Sequence, residues 1–265
     1  MLGAQLNSTK RIFAVFAFSL TLVLSGCSST SQVEQQSEDN SEYSDPKDPL
    51  ESINRPLWDF TWDYTDKYVL KPASEAYVEY VPDELRGGLY NMAMNLNEPS
   101  SIINNLLQGK FKNAAKDTGR FLLNSTIGLF GFFDPASDFG WNRQQEEFGE
   151  VLGSYGVGDG AYLVNPLGGP TSVREEVGDA VDKYYWPLAV IDFWPNLFRV
   201  GVVALETRTQ LKDQEKLIDE AIDPYEFVKN AYFQNVRYRV YDGNPPIEVD
   251  EDEEAELEAF LDEIE

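Results

Sequence analysis

The sequence predicts an all-α domain on three observations: two helix-start signatures of the form Asp-Pro-x-Glu, apolar residues recurring at helical spacing after each, and scarce strand alternation. In the first signature, Asp48-Pro49-Leu50-Glu51, Asp48 reads as the cap, Pro49 as the first helical position and Glu51 as the acid placed to reach back. Leu50, Ile53, Leu57, Phe60, Tyr64 and Tyr68 follow at intervals of three and four, which predicts an amphipathic helix over 50–68. The same grammar at Asp223-Pro224-Tyr225-Glu226, followed by Val228 and Tyr232, predicts a helix over 224–239. Between them Pro82, Pro99 and Ser172 mark further starts, Ser172 forming a capping box with Glu175, while Gly109 and Gly128 suit helix ends. Helices are therefore expected over 72–80, 82–97, 99–108, 110–127, 142–153, 172–184 and 196–220.

The chain divides by composition. Residues 1–26 hold Lys10 and Arg11, an apolar run from Ile12 to Leu24, and the small pair Ser25-Gly26, which is the order of a cleaved signal. The run is short of the roughly 20 residues of a spanning helix. Leu24-Ser25-Gly26-Cys27 resembles the bacterial lipobox, so Cys27, the only cysteine, is the expected lipidation site. Several acyl groups, as that lipidation implies, are needed for a durable anchor. The next residue is Ser28 rather than the Asp associated with inner-membrane retention, and that resemblance points to the outer membrane, lipid-anchored on its periplasmic face. Residues 27–47 are polar and read as a tether. A body over 48–241 is long enough for one well-buried domain, and an acidic tail follows over 242–265.

Charge and missing residue types exclude several classes. The formal charge is −25, and loss of the segment carrying Lys10 and Arg11 makes the remainder more acidic, so nucleic acid is not an expected partner. Histidine is absent and the one cysteine is assigned to the anchor, which removes the usual general base, the thiol nucleophile and the commonest zinc ligands. No catalytic residue, metal site or cofactor is expected. Ser154 lacks the first Gly of a nucleophile elbow. The stretch Gly156-Val157-Gly158-Asp159-Gly160 reads as a turn rather than a dinucleotide loop. The pairs Glu146-Glu147 and Glu175-Glu176 are expected to be solvated or capping carboxylates, since adjacent helical residues point apart.

Three stretches carry candidate interactions. Aromatic clusters at Trp58, Phe60, Trp62 and Tyr64 and at Trp186, Phe193, Trp194 and Phe198 fit either a soluble aromatic core or a membrane interface. The run from Trp186 to Leu205 is too interrupted to span a bilayer as one helix. The apolar loop Ile127, Gly128, Leu129, Phe130, Gly131, Phe132 and Phe133 is either buried as a hinge or inserted among acyl chains, and a membrane-facing or gating role is preferred. In the tail, Leu257, Phe260, Leu261 and Ile264 form one helical stripe, suited to a solvated tail or to folding into a partner's groove.

Several stretches together resemble the MlaA/VacJ family of outer-membrane lipoproteins. They are Asp48-Pro49-Leu50-Glu51 with Asn54-Arg55, Arg120-Phe121-Leu122-Leu123-Asn124-Ser125-Thr126-Ile127-Gly128, Phe148-Gly149 through Leu152-Gly153, Tyr155-Gly156-Val157-Gly158, Gly160 with Tyr162, and Asp223-Pro224-Tyr225. The resemblance implies a single ring-like helical domain lying in the outer membrane with an amphipathic central channel. It also implies removal of mislocalised phospholipid from the outer leaflet, delivery to a soluble periplasmic phospholipid carrier, and association with outer-membrane trimeric porins. The long tether and acidic tail depart from a compact family member. A porin-associated scaffolding lipoprotein without a channel is the alternative, with a phospholipase behind it.

Overall fold

The structure is a computed structural model and describes residues 45–166 and 168–246. The signal, Cys27, most of the tether, and the tail stripe at Leu257, Phe260, Leu261 and Ile264 lie outside the described residues. The chain is built from helices α1 (Glu51–Asp59), α2 (Lys71–Tyr80), α3 (Asp83–Asn95), α4 (Glu98–Leu107), α5 (Phe111–Thr126), α6 (Pro135–Asp138), α7 (Phe148–Ser154), α8 (Val173–Asp182), α9 (Phe193–Asp219) and α10 (Pro224–Val240). One antiparallel hairpin, β1 (Tyr162–Asn165) with β2 (Gly169–Ser172), precedes α8 and pairs Tyr162 with Ser172.

Three expectations need correction. No break separates the first two helices: a π-helical stretch, Phe60–Leu70, joins α1 to α2. Its wide turns already lack the α-type bond that the Pro72 nitrogen cannot make, so the backbone passes the proline without breaking. The helix expected over 142–153 shrinks to α7, because residues 142–147 run extended while Glu146 binds α4. Asp48 does not cap α1. Its buried carboxylate accepts from Asn54 Nδ2 at 2.8 Å and from the Tyr225 hydroxyl, and Glu51 pairs with Arg55 rather than reaching back. The second signature behaves as read, with the Asp223 carboxylate accepting from the Glu226 amide at 3.1 Å.

These contacts join the two ends of the body. The Asn54 amide donates to the Tyr162 carbonyl at 2.9 Å and accepts from the Val164 amide, pinning β1 to α1. Arg55 lies over the Tyr225 ring and pairs with Asp223 and Glu226 on α10. An apolar core of Trp58, Tyr162, Val164, Ile218 and Tyr225 forms at this junction, with Trp62 stacked on Trp58 at 5.4 Å. Further along, Arg208 of α9 holds Asp66 of the π stretch through two bonds and also reaches Glu215, so the long helix lies along the first one. The hairpin escaped the sequence reading because only Tyr162 and Val164 alternate inward, too short a run to register.

At the crossing of α7 and α8, Gly149 meets Gly178 with no room between backbones. A Cβ on Gly178 would stand 2.3 Å from the Gly149 nitrogen. Gly178→Ala is accordingly expected to cost about 1–3 kcal/mol by overpacking. Thermal unfolding of the variant should show a Tm several degrees lower, and an unchanged Tm would mean the helices separate freely.

Candidate functional site

Helices α4 and α5 bury their polar faces and expose apolar side chains. Helix α4 buries Glu98, Ser100, Ser101, Asn104 and Asn105, yet Leu106 and Leu107 are exposed. Helix α5 buries Ala114, Asp117, Arg120 and Asn124 at intervals of three and four and turns Phe111 and Leu122 outward, 71% and 58% exposed. Among the described residues the buried set holds twenty polar or charged side chains against eleven apolar ones. A chain surrounded only by water would partition the other way. Polar residues turned to an interior and apolar ones to the surroundings are the arrangement an apolar environment favours.

Arg120 sits at the centre of this interior with no exposed surface. Its guanidinium donates to Glu98 at 3.1 Å, to Asp134 at 3.1 Å and to the Trp141 carbonyl, with Arg143 flanking the same two acids. Burial holds the Glu98 carboxyl above its usual range against the pull of Arg120. Asn124, one turn on, donates to Asp134 at 2.9 Å and accepts from the Ala136 amide. Asp117, likewise pushed up by burial, accepts from Ser101 and Asn105 at 2.9 and 2.8 Å. The sequence reading named Arg120 and Asn124 only as part of a family motif and gave Glu98, Asp117 and Asp134 no role, although the polar spacing Asp117, Arg120, Asn124 within one helix was a signal for them.

A second cluster gathers on α7. Arg239 of α10 pairs with Glu147, Glu150 and Glu175 at 2.6, 2.9 and 2.8 Å. Glu146 accepts from Gln108 at 2.7 Å and faces Lys110. Glu146 and Glu175 were expected to be solvated or capping, but both are buried, because each neutralises cations that α5 and α10 bring to it. Beside the cluster a polar cavity of about 190 Å³ is lined by Asn97, Ser100, Glu146, Glu147, Asp179, Asp182, Lys183 and Arg199, among others. Arg199 donates only to Asn97 and Asn196, and among the described residues it has no carboxylate partner. Asp182 is tied down by Ser100, Asn104 and the Phe148 amide at 2.7, 2.8 and 2.9 Å.

The apolar loop lies across the end of α5. Ile127, Leu129, Phe130 and Phe133 are exposed, Phe130 by 77%, while Gly128 and Gly131 are buried. A hinge or gate at this loop would draw on the backbone freedom of Gly128 and Gly131. Instead they permit close packing: a Cβ on Gly131 would stand 2.5 Å from Asn95, and Phe132 presses its ring onto Gly88. Leu129 and Phe130 carry positive φ of 53° and 61°, a strained backbone held by amide bonds from Phe130 to the Ser125 carbonyl and from Gly131 to the Asn124 carbonyl. The loop is thus a fixed bracket with an apolar outer edge.

The aromatic clusters divide between the two readings. Trp58 is buried in the core, whereas Phe60, Tyr64, Trp186, Phe193, Trp194 and Phe198 are exposed. The run beginning at Trp186 breaks at Pro187 and a short 3-10 turn, Leu188–Val190, before α9. No helix among the described residues is long and apolar enough to cross a membrane. The Ser154 hydroxyl donates to the Val151 carbonyl at 2.7 Å.

Comparison with known proteins bears on the whole body. The model of the MlaA lipoprotein family matches residues 46–239. The intermembrane phospholipid transport system lipoprotein MlaA of Haemophilus influenzae is 38% identical over 230 residues, covering 84% of this chain and 88% of that protein. Its namesake from Escherichia coli is 36% identical over 217 residues, covering 81% and 83%. A solved structure, from work on the structural basis for maintenance of bacterial outer membrane lipid asymmetry, aligns with a TM-score of 0.69 at 37% identity, covering 73% of this chain and 98% of the other.

Three carboxylates share the one Arg239 guanidinium, and burial together with Glu146 and Glu147 pushes the Glu150 carboxyl up to about 9. A folded pKa above the usual 4.5 means that the neutral carboxyl is the stabilising form. Its contribution is complete in acid and is lost as pH rises through about 9. Tm should therefore fall as pH rises from about 5 to about 9 and level off above that, and Glu150→Gln should flatten the fall while leaving Tm in acid nearly unchanged. An identical fall over that range in the variant would remove Glu150 as its source.

Proposed function

The chain belongs to the MlaA lipoprotein family, and from that premise we propose that it removes mislocalised phospholipid from the outer leaflet of an outer membrane and passes it to a soluble periplasmic carrier. The observation that carries this reading is the reversed partition of the body, a polar interior under an apolar surface. Moving a phospholipid breaks no bond. It needs a path on which the head group stays wet while the acyl chains stay against apolar surface.

In this reading the body is a ring-like helical domain lying in the outer membrane, anchored at Cys27 with its periplasmic face toward the carrier. The polar cavity is part of the wall of an amphipathic central channel. Arg199 and Lys183 offer positive charge to the lipid phosphate, and Asp179 is available to an ammonium. The exposed edge of the loop, Ile127, Leu129, Phe130 and Phe133, sits among acyl chains, and the turn from Gly156 to Gly160, left-handed at both ends, is where the path opens. The tail stripe of Leu257, Phe260, Leu261 and Ile264 is the proposed contact with the carrier. Trimeric porins are the proposed neighbours within the membrane.

The test measures phospholipid exposed on the cell surface in four strains: intact gene, deletion, Cys27→Ala, and Arg199→Glu. Surface phospholipid is expected to rise on deletion, to fall again with the intact gene, and to stay high in both variants. An unchanged surface in the deletion strain would end the transport reading in favour of a scaffold docked on porins.

A further inference from the structure

Along an outer face of α5 lies an apolar groove of about 460 Å³, within the range of ligand-sized clefts. One wall is the helix itself, where Gly119, Leu122, Leu123 and Thr126 follow at intervals of three, one and three along one face. The Thr126 hydroxyl is spent on the Leu122 carbonyl at 2.6 Å. The other wall is a tilted pair, Phe139 and Trp141, with ring centres 6.3 Å apart. Gly119 sets the depth, since a Cβ there would stand 2.7 Å from the Trp141 ring. Behind Trp141, its carbonyl is gripped by the buried Arg120, so this wall is fixed from inside.

A cation precedes the groove on the same helix. One turn before Gly119, Lys116 has no carboxylate partner among the described residues, its polar contact being the Gln144 amide oxygen at 3.4 Å. By helical rise, Lys116 stands roughly 10 Å from Leu123 along the axis. Next in the chain after Thr126 come the exposed Ile127 and, in the loop, Leu129. A cation at one end, an apolar trough and an apolar exit match the order of a phosphate and its acyl chain. A protein partner would also need hydrogen-bond acceptors and donors along its edge, and the groove walls offer almost none.

We propose that this groove is a phospholipid-binding site on the outside of the body, taking one acyl chain of a membrane phospholipid between α5 and the Phe139–Trp141 wall with the lipid phosphate at Lys116. It rests on the phospholipid-transport reading and adds to it a place where lipid waits in the surrounding leaflet, separate from the polar cavity.

The test uses the full-length, lipidated protein in vesicles of phosphatidylethanolamine and phosphatidylglycerol. A trace of phospholipid carries a photoactivatable group in mid-chain, and adducts are mapped by mass spectrometry. Adducts are expected on both walls, at residues 119–126 and 139–141, and should fall several-fold in Leu122→Asn and in Lys116→Glu. Both positions are surface-accessible, and unchanged circular dichroism would show that the variants fold; Leu123→Val provides a milder trim of the same wall. Adducts spread evenly over every exposed apolar residue and insensitive to these substitutions would overturn the site and leave only general bilayer contact. Capture of a porin, rather than lipid, by a photoreactive residue at position 122 in cells would overturn it in favour of a protein interface. Either result could stand beside a positive surface-phospholipid assay, so loss of the groove and loss of the transport reading are separable.

Discussion

A charge held away from water has to be matched where it sits, and that requirement organises this body. Arg120 has no exposed surface and is surrounded by Glu98, Asp134 and the Trp141 carbonyl. Helices α4, α5 and α6 and the extended stretch after them take their places so that these partners converge. Removing one member would leave the others charged and unpaired in the interior, which costs more than the pair itself contributes. The loop at the end of α5 depends on the same centre, because Asn124 and Asp134 fix both of its ends.

The reversed partition follows from that centre and sets the chemistry available. An interior built from carboxylates, amides and guanidinium groups can accept a polar head group without a new desolvation cost, and a surface of leucines and aromatics is at ease among acyl chains. Neither property requires a reacting group. The carboxylates that could have served acid-base chemistry, Glu146, Glu147 and Glu175, are instead held by Lys110 and Arg239.

Most helices were legible because their limits are local: Asp223, Pro224, Pro99 and Gly109 act through their own backbone geometry. What was not legible depended on distant partners. Asp48 had the sequence of a cap but gave its carboxylate to Asn54 and Tyr225, a choice made by a helix far along the chain. The stretch 142–147 had helical periodicity, yet tertiary bonds to α4 held it extended. The polar stripe of α5 was visible as spacing, but hydrophobic periodicity assumes water outside, and here that assumption points the wrong face inward. The family resemblance supplied the function; residue spacing alone supplied a helical, acidic and lipid-anchored chain.

Lys229 is almost wholly buried near the end of the body, and it pairs at 2.8 Å with Asp45, where the described chain begins. The same ammonium contacts Glu226 and lies over Tyr225. Mechanical tension arriving along the N-terminal segment therefore meets a buried ion pair on the last helix before it reaches the exposed first turn at Leu50. The load enters at the junction where both ends of the body are already locked together, and the first helix is spared from being peeled away.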